Sequence, residues 1–404
     1  MKVALVSPYD YAHPGGVTEH VRNLAARLRE RGNEVHVIAP LSSASRLDVE
    51  SPWVHRVGGV VPVPANGSVA RITLPMAGYL RVKRLLAAHA FDVIHLHEPL
   101  MPALPLTVLR HSRAVNVGTF HAYNASGLGY FYARPMLRPF ARKLHGRIAV
   151  SGVARSFVGR WFPGDYQVIP NGIDFERFAA PRCPLPDLAD GKLNVLFVGR
   201  PEKRKGLAVL LDAWERVRRG FPNARLVVVG GSGRPVDQYR RHVEARGWPE
   251  VVFTGYVSAR DLPRYYQTAD VFCAPSTGQE SFGIVLLEAM ASGRPVVASR
   301  IPGYSEVVHH GREGLLVPPR DPESLAGAIE SLLADRDLRI ELGRGGQTTA
   351  RRYDWESVAS EVERTYALAA STAAARVPVD AQAAAPRTLS RWRRIGGVAR
   401  RLAR

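Results

Sequence analysis

The sequence predicts an α/β protein made of two doubly wound, Rossmann-like domains facing across a cleft. Three observations carry this. Near-continuous apolar, β-branched runs alternate with amphipathic helical stretches, the pattern of parallel strands covered on both faces. The alternation stops at a Pro-rich stretch, residues 175–192, and then starts again. The chain has 404 residues, too many for one ordinary core and enough for two domains with additions.

Residues 1–174 form the first domain in this reading. KVALVSP is a strand, and VTEHVRNLAARLRERG is an amphipathic helix closed by Gly32. EVHVIAP, FDVIHLHEP, VNVGTFHA, GRIAVSG and YQVIPNGID read as further strands. FERFAAPRCPLPDLADGK, residues 175–192, is the interdomain connector. The second domain spans 193–352: LNVLFVGR, ARLVVVGGSG, VVFTGYV, ADVFCAPS, PVVASRIPG and GLLVPP are strands with helices between. WESVASEVERTYALAA, within 353–370, is a helix expected to pack back toward the first domain. Residues 371–404 read as a disordered Ala/Pro-rich tether and an Arg-rich tail. In open parallel sheets, ligands sit at the carboxyl ends of the strands.

Composition narrows the class. The apolar fraction of 46% is ordinary for a globular protein. The two cysteines, Cys183 and Cys273, offer neither a disulfide framework nor a zinc pattern, which fits a reducing compartment. No run reaches the roughly 18–20 apolar residues of a membrane span, and MKVALVSPYD is too short and polar for a signal peptide. The expected location is cytoplasmic. The net charge of +19 points to an anionic partner, and seven of the arginines lie in residues 387–404. With no RNA-binding or zinc signature, no nucleic acid is expected.

Four stretches carry chemistry. In TGQESFGIVLLEAMASG, Ser281 is placed to cap a helix beginning near Phe282. The backbone N–H groups of Phe282, Gly283 and Ile284 then face an anion. Glu288 lies roughly 6–9 Å along that helix, at about 1.5 Å per residue, a diphosphate-to-ribose span. It can accept from ribose hydroxyls, while Glu280 meets the group beyond the phosphates; a solvated helix-edge Glu and a loop Glu are the plain alternative. In GRPEKRKG, Arg200 and Lys205 at a strand's carboxyl end can clamp a diphosphate and stabilise it as a leaving group, with an ordinary basic βα loop as the plain alternative. In HPGGV, Gly15 and Gly16 let backbone approach a phosphate, or simply make a tight βα turn. His121, in TFHA, ends an apolar strand where it can face a cleft or serve as a satisfied loop histidine. In HLHEP, His95 and His97 face the same way, no further metal ligands are placed, and the role read is structural.

Two basic amphipathic segments remain. YLRVKRLLAAH mixes Arg81, Lys83 and Arg84 with leucines, and RPMLRPFARKLHGR places Arg134, Arg138 and Arg142 four apart. Such faces suit an anionic membrane surface, or simply solvent.

Glu280-x7-Glu288, the GR…KG loop, the GGV turn and NGID together resemble the retaining glycosyltransferases of family 4, which have the GT-B fold. The resemblance covers roughly residues 1–370. NGSVAR (residues 66–71), HLHEP, TFH and TGQESFGIVL are similar to segments of the phosphatidyl-myo-inositol mannosyltransferases. The resemblance implies transfer of a hexose, mannose, from GDP-mannose to a phosphatidylinositol-type membrane lipid, with retention. It implies that Arg200 and Lys205 hold the diphosphate, that Gly15 and Gly16 approach it, and that His121 and Glu280 stand at the reacting centre. Val257, Phe282, Gly283, Ile284 and Glu288 fall on the donor side, and Tyr9, Asn66, Ser68 and Arg71 on the acceptor side. No metal or other cofactor is implied. A peripheral position on the inner face of the plasma membrane is. Two departures stand out: aromatic residues Tyr130, Phe131 and Tyr132 follow TFHA, and SARDLP follows TGYV. A UDP-sugar with another lipid or soluble acceptor, and a non-catalytic basic lipid- or nucleic-acid-binding protein, are the competing readings.

Overall fold

The computed structural model describes residues 1–13, 15–42, 52–65, 68–73, 78–123, 127–231 and 233–375. Asn66 and the Arg-rich tail lie outside them. The chain divides into two compact units, Met1–Asn171 with the segment from Trp355 onward, and Gly172–Asp354.

In the first unit, β1 (Lys2–Val6), α1 (Gly16–Glu30), β2 (Glu34–Ala39) and β3 (Val54–Arg56) are followed by a hairpin, β4 (Val61–Ala65) and β5 (Ser68–Ile72). Next come α2 (Tyr79–Ala88), β6 (Val93–His97), α3 (Leu104–His111), β7 (Val115–Phe120), α4 (Leu128–Arg142), β8 (Gly146–Ala149), α5 (Gly152–Trp161) and β9 (Gln167–Val168). Seven strands form one parallel sheet in the order β3-β2-β1-β6-β7-β8-β9. The alternation along β1 explains the layering: Val3 and Leu5 join a core with α1 residues Leu24 and Leu28, whereas Ala4 and Val6 join one with Val82, Val108, Leu137 and Val158.

The second unit begins with α6 (Phe175–Ala179) and continues through β10 (Leu193–Val198), α7 (Leu207–Gly220), β11 (Ala224–Val229), α8 (Arg234–Ala245), β12 (Val251–Gly255), α9 (Leu262–Thr268) and β13 (Val271–Ala274). It closes with α10 (Ile284–Ala291), β14 (Val296–Ser299), α11 (Pro302–Ser305), β15 (Gly314–Val317), α12 (Pro322–Ala334) and α13 (Arg336–Ala350). The six strands are parallel, ordered β12-β11-β10-β13-β14-β15. Val195 and Phe197 of β10 pack with Trp214 and Ile329 on one face; Leu196 packs with Leu286 and Tyr304 on the other.

Two expectations need correction. The stretch 175–192 is not a free connector: Asp174 caps α6 by accepting from Arg177 N, and Phe175, Phe178 and Leu188 are buried in the second unit's core. Apolar residues three apart on one helical turn make that burial possible. The last helix, α14 (Trp355–Ala375), also runs past residue 370, because the Ala-rich start of the expected tether has high helix propensity. Trp355, Val358, Val362 and Tyr366 of α14 pack in the core with Leu24 and Val117, so this helix belongs to the first unit.

Candidate active site

In each unit the strand order reverses direction at one place, where parallel sheets hold their ligands. In the second unit this is between β10 and β13, which pair directly. The loop leaving β10 must pass the end of β13, and Gly206 permits it. Its φ is 74°, and a Cβ there would stand 1.9 Å from the Pro275 carbonyl oxygen. Thr277 N donates to Arg204 O at 2.7 Å across the same gap.

The result is a chain of charges. Glu280 Oε1 lies 2.6 Å from both Lys205 Nζ and Arg204 Nη1. Arg204 Nη2 reaches Glu202 at 2.8 Å, and Arg200 Nη2 reaches the other oxygen of Glu202 at 3.0 Å. Glu280 is only 13% exposed, whereas Arg200 is 60% exposed. The structure thus joins Lys205 to Glu280 and holds Arg200 on Glu202. Sequence reasoning missed Arg204 and Glu202, although both stand in the quoted PEKRKG.

The helix after Glu280 starts later than expected. Gly283, at φ 147°, occupies the N-cap of α10 and the first helical residue is Ile284, so Ser281 is not the cap. Only glycine tolerates that backbone. Phe282 is 5% exposed and packs toward Tyr353, leaving its backbone rather than its ring for a ligand. Glu288, charged among leucines, accepts a hydrogen bond from the Tyr266 hydroxyl at 2.7 Å. Burial, reinforced by Glu288, holds that phenol well above its ordinary range. Val257 is half-buried against the same core.

In the first unit the reversal falls between β1 and β6. Gly15 is the N-cap of α1 and offers no side chain to its free N–H groups. A Cβ on Gly16 would meet no atom of the described residues within 4 Å, so the space beside this helix's first residue is open among them. The β4–β5 hairpin crosses nearby: Tyr9 bridges Ile72, and Asp10 N donates to Arg71 O at 2.9 Å. Tyr9 and exposed Arg71 are therefore brought together; Ser68 lies on β5 opposite Ala65. Asn66 is outside the described residues.

His121 is 8% exposed, which is deeper than a cleft-facing strand end suggests. Its Nε2 lies 3.0 Å from His97 Nδ1, and His20 packs edge-on against both rings. The expectation that His97 lacks companions is corrected here: one nitrogen from each of His20, His97 and His121 lies within 4.8 Å of the others, a set able to hold a metal ion. Burial drives all three toward the neutral form, His20 down to about 4 and the others well below their usual value. His95 is structural, as expected, and ties Tyr366 of α14 to Thr119 of β7 through both ring nitrogens.

Glu98, next to His97, was not singled out by the sequence. Its φ of 51° turns the chain so that Oε1 accepts from His121 N at 2.8 Å and Ala122 N at 2.7 Å. Burial pushes its carboxyl up to about 7 despite those two bonds.

Fold and site together define a GT-B glycosyltransferase. Two family models divide the chain, Glycosyltransferase Family 4 over residues 14–177 and Glycosyl transferases group 1 over 192–335. The phosphatidyl-myo-inositol mannosyltransferase of Mycobacterium leprae is 40% identical over 92% of this chain and 98% of its own length. That of Mycolicibacterium smegmatis is 39% identical over 91% and 93%. The chain belongs to this mannosyltransferase family. Among solved structures, Anabaena HepE in complex with UDP and glucose superposes with a TM-score of 0.72, covering 90% of this chain and 99% of that one at 22% identity.

Proposed function

We propose that this enzyme moves mannose from GDP-mannose to the inositol of a phosphatidylinositol lipid, with retention at the anomeric carbon. The observation that carries the reading is the joined set Arg204–Glu280–Lys205 at the second unit's switch point. Two cations sharing one carboxylate can turn to an arriving diphosphate and neutralise it as the bond to the sugar breaks. The carboxylate they release is then free to accept from the sugar's hydroxyls. Arg200, exposed beside them, adds a third cation. Glu288 accepts from the ribose hydroxyls, beside the bond it already takes from Tyr266. Backbone at Val257, Phe282, Gly283 and Ile284 completes the donor side, and no metal is needed between the phosphates and these cations.

In the first unit, Gly15 and Gly16 leave room for backbone to approach the β-phosphate. His121, kept neutral by burial, can hydrogen-bond near the reacting carbon without adding charge. Tyr9, Asn66, Ser68 and Arg71 take the acceptor, with the Arg71 guanidinium on the lipid phosphate.

The acceptor's location calls for a surface contact. None of the described helices is long and apolar enough to cross a membrane. Helices α2 and α4 instead expose apolar and basic groups together: Tyr79 and Leu80 beside Arg81 and Arg84, and Phe131, Tyr132 and Met136 beside Arg134 and Arg138. That combination binds anionic bilayers. The enzyme would sit at the cytoplasmic face of the plasma membrane.

A thermal-shift panel of GDP-, UDP- and ADP-sugars tests the donor. GDP-mannose alone should raise the melting temperature substantially. A selective response to a UDP-sugar would replace the donor assignment and leave the transferase class intact.

A further inference from the structure

Three imidazoles meet at the β3 edge of the first unit's sheet. His36 lies on β2, His55 on the edge strand β3, and His89 closes the C-terminus of α2. The register pairs Ile38 with His55, so His36 and His55 share a face of the sheet. Val82 of α2 shares a core with Ile38, so α2 packs on that face and delivers His89 over the other two rings. The ring centroids stand 4.9 to 5.2 Å apart. One nitrogen from each ring lies within 4.8 Å of the others. His36 is buried and the other two are half-buried, while Phe91 and Trp53 wall the cluster.

The hydrogen bonding aims the lone pairs inward. His36 Nε2 lies 3.1 Å from Glu34 Oε1, and that carboxylate is held by Lys2 Nζ at 2.8 Å. A carboxylate only accepts, so Nε2 carries the proton and Nδ1 turns its lone pair toward His55 Nε2, 2.8 Å away. Metal-ligating histidines are commonly oriented by a carboxylate on the far nitrogen in this way. Nitrogens around tetrahedral zinc stand about 3.3 Å apart, given bonds of about 2.0–2.1 Å. Small ring rotations reach that spacing, with His55 moving its proton from Nε2 to Nδ1. Lys2 and Arg81 nearby weigh against a cation, but Glu34 neutralises Lys2.

We infer that His36, His55 and His89 form a three-histidine site for a divalent transition ion of the zinc class. Glu34 orients His36, and water takes the fourth position. The ion pins the edge strand β3 and the end of α2 to β2, on strands other than β1 and β6, between which the strand order reverses. Its role is therefore to stabilise the unit and not to take part in transfer.

The test uses tag-free full-length protein, stripped with a chelator, dialysed and titrated with Zn2+ against a chromophoric competitor. We expect wild type to bind one zinc per chain more than the His55→Ala/His89→Ala double variant, with a zinc-induced rise in melting temperature and, on Co2+ substitution, the visible absorption of a four-coordinate site that the double variant lacks. His55→Ala and His89→Ala should each abolish the zinc-induced rise, and Glu34→Gln should weaken affinity by about 10–100-fold. Turnover should not change in these variants. The comparison is of the shift within each variant, so a variant with lower intrinsic stability still reports. Wild-type protein that takes up no zinc overturns the proposal, as does a His55→Ala/His89→Ala double variant that binds as much zinc per chain as wild type.

Discussion

The two units build their switch points from opposite materials. In the second, five charged side chains, Arg200, Glu202, Arg204, Lys205 and Glu280, are linked end to end within 3.0 Å at each step. In the first, three buried imidazoles are held neutral and a carboxyl bonded to the backbone of one of them, Glu98, is pushed toward neutrality. The same sheet topology therefore yields an ionic site and a low-charge one. The ionic site suits a diphosphate whose charge must be met as it leaves. The low-charge site suits sugar and inositol hydroxyls, which need directed hydrogen bonds in a dry setting.

The contrast can be broken most severely from the ionic side. Lys205→Ala removes a cation expected to act on the leaving group, and kcat should fall by about 10²–10³-fold with the melting temperature little changed. A fall in donor affinity alone, with kcat intact, would confine Lys205 to ground-state binding. Arg204→Ala should behave similarly, since it shares Glu280 with Lys205.

Gly16→Ala probes the open space of the first unit. A Cβ there meets no atom of the described residues within 4 Å, so folding should be unaffected. A bound phosphate would meet it, and the resulting misplacement should cost about 10²-fold in kcat/KM. Full activity in the Gly16→Ala variant would remove the phosphate from this turn.

Glu98→Gln sharpens the low-charge side through pH. The folded-state value of about 7 lies above the ordinary 4.5, so the folded protein holds the proton more tightly than the unfolded chain. That stability is fully present below about pH 4.5 and is lost as pH rises toward 7, roughly 3 kcal/mol in all. The buried histidines act in the opposite sense, but they are common to both proteins and cancel. The variant should match wild type near pH 4.5 and melt progressively higher above it. Equal melting curves from pH 4.5 to 8 would show that Glu98 is not held neutral.

The smallest effect is expected at the surface. Arg134→Ala, on exposed α4, should weaken sedimentation with anionic vesicles by about fivefold, corresponding to about 1 kcal/mol per basic residue. Neutral vesicles should show no change between the two proteins.

The strands and the two-unit layout were legible because parallel strands buried on both faces leave continuous apolar runs such as KVALV and LNVLFV. Glu280 and Lys205, which the structure joins, were each singled out from local motif alone. What could not be read was set by tertiary approach. Arg204 meets Glu280 only because Gly206 lets one loop cross over Pro275. The partner of Glu288 is a tyrosine on another helix, and α10 starts at Ile284 because Gly283 adopts a backbone that its neighbours cannot. Both histidine triads gather rings from separate elements, so no spacing announces them.

The most direct test of the central claim is the anomeric configuration of the product. Purified protein is incubated with GDP-α-mannose and phosphatidylinositol vesicles, and the lipid product is read by NMR. The account predicts a single α-linked mannosyl group on inositol. A β-linked product, or donor hydrolysis with no mannosyl lipid, would contradict it.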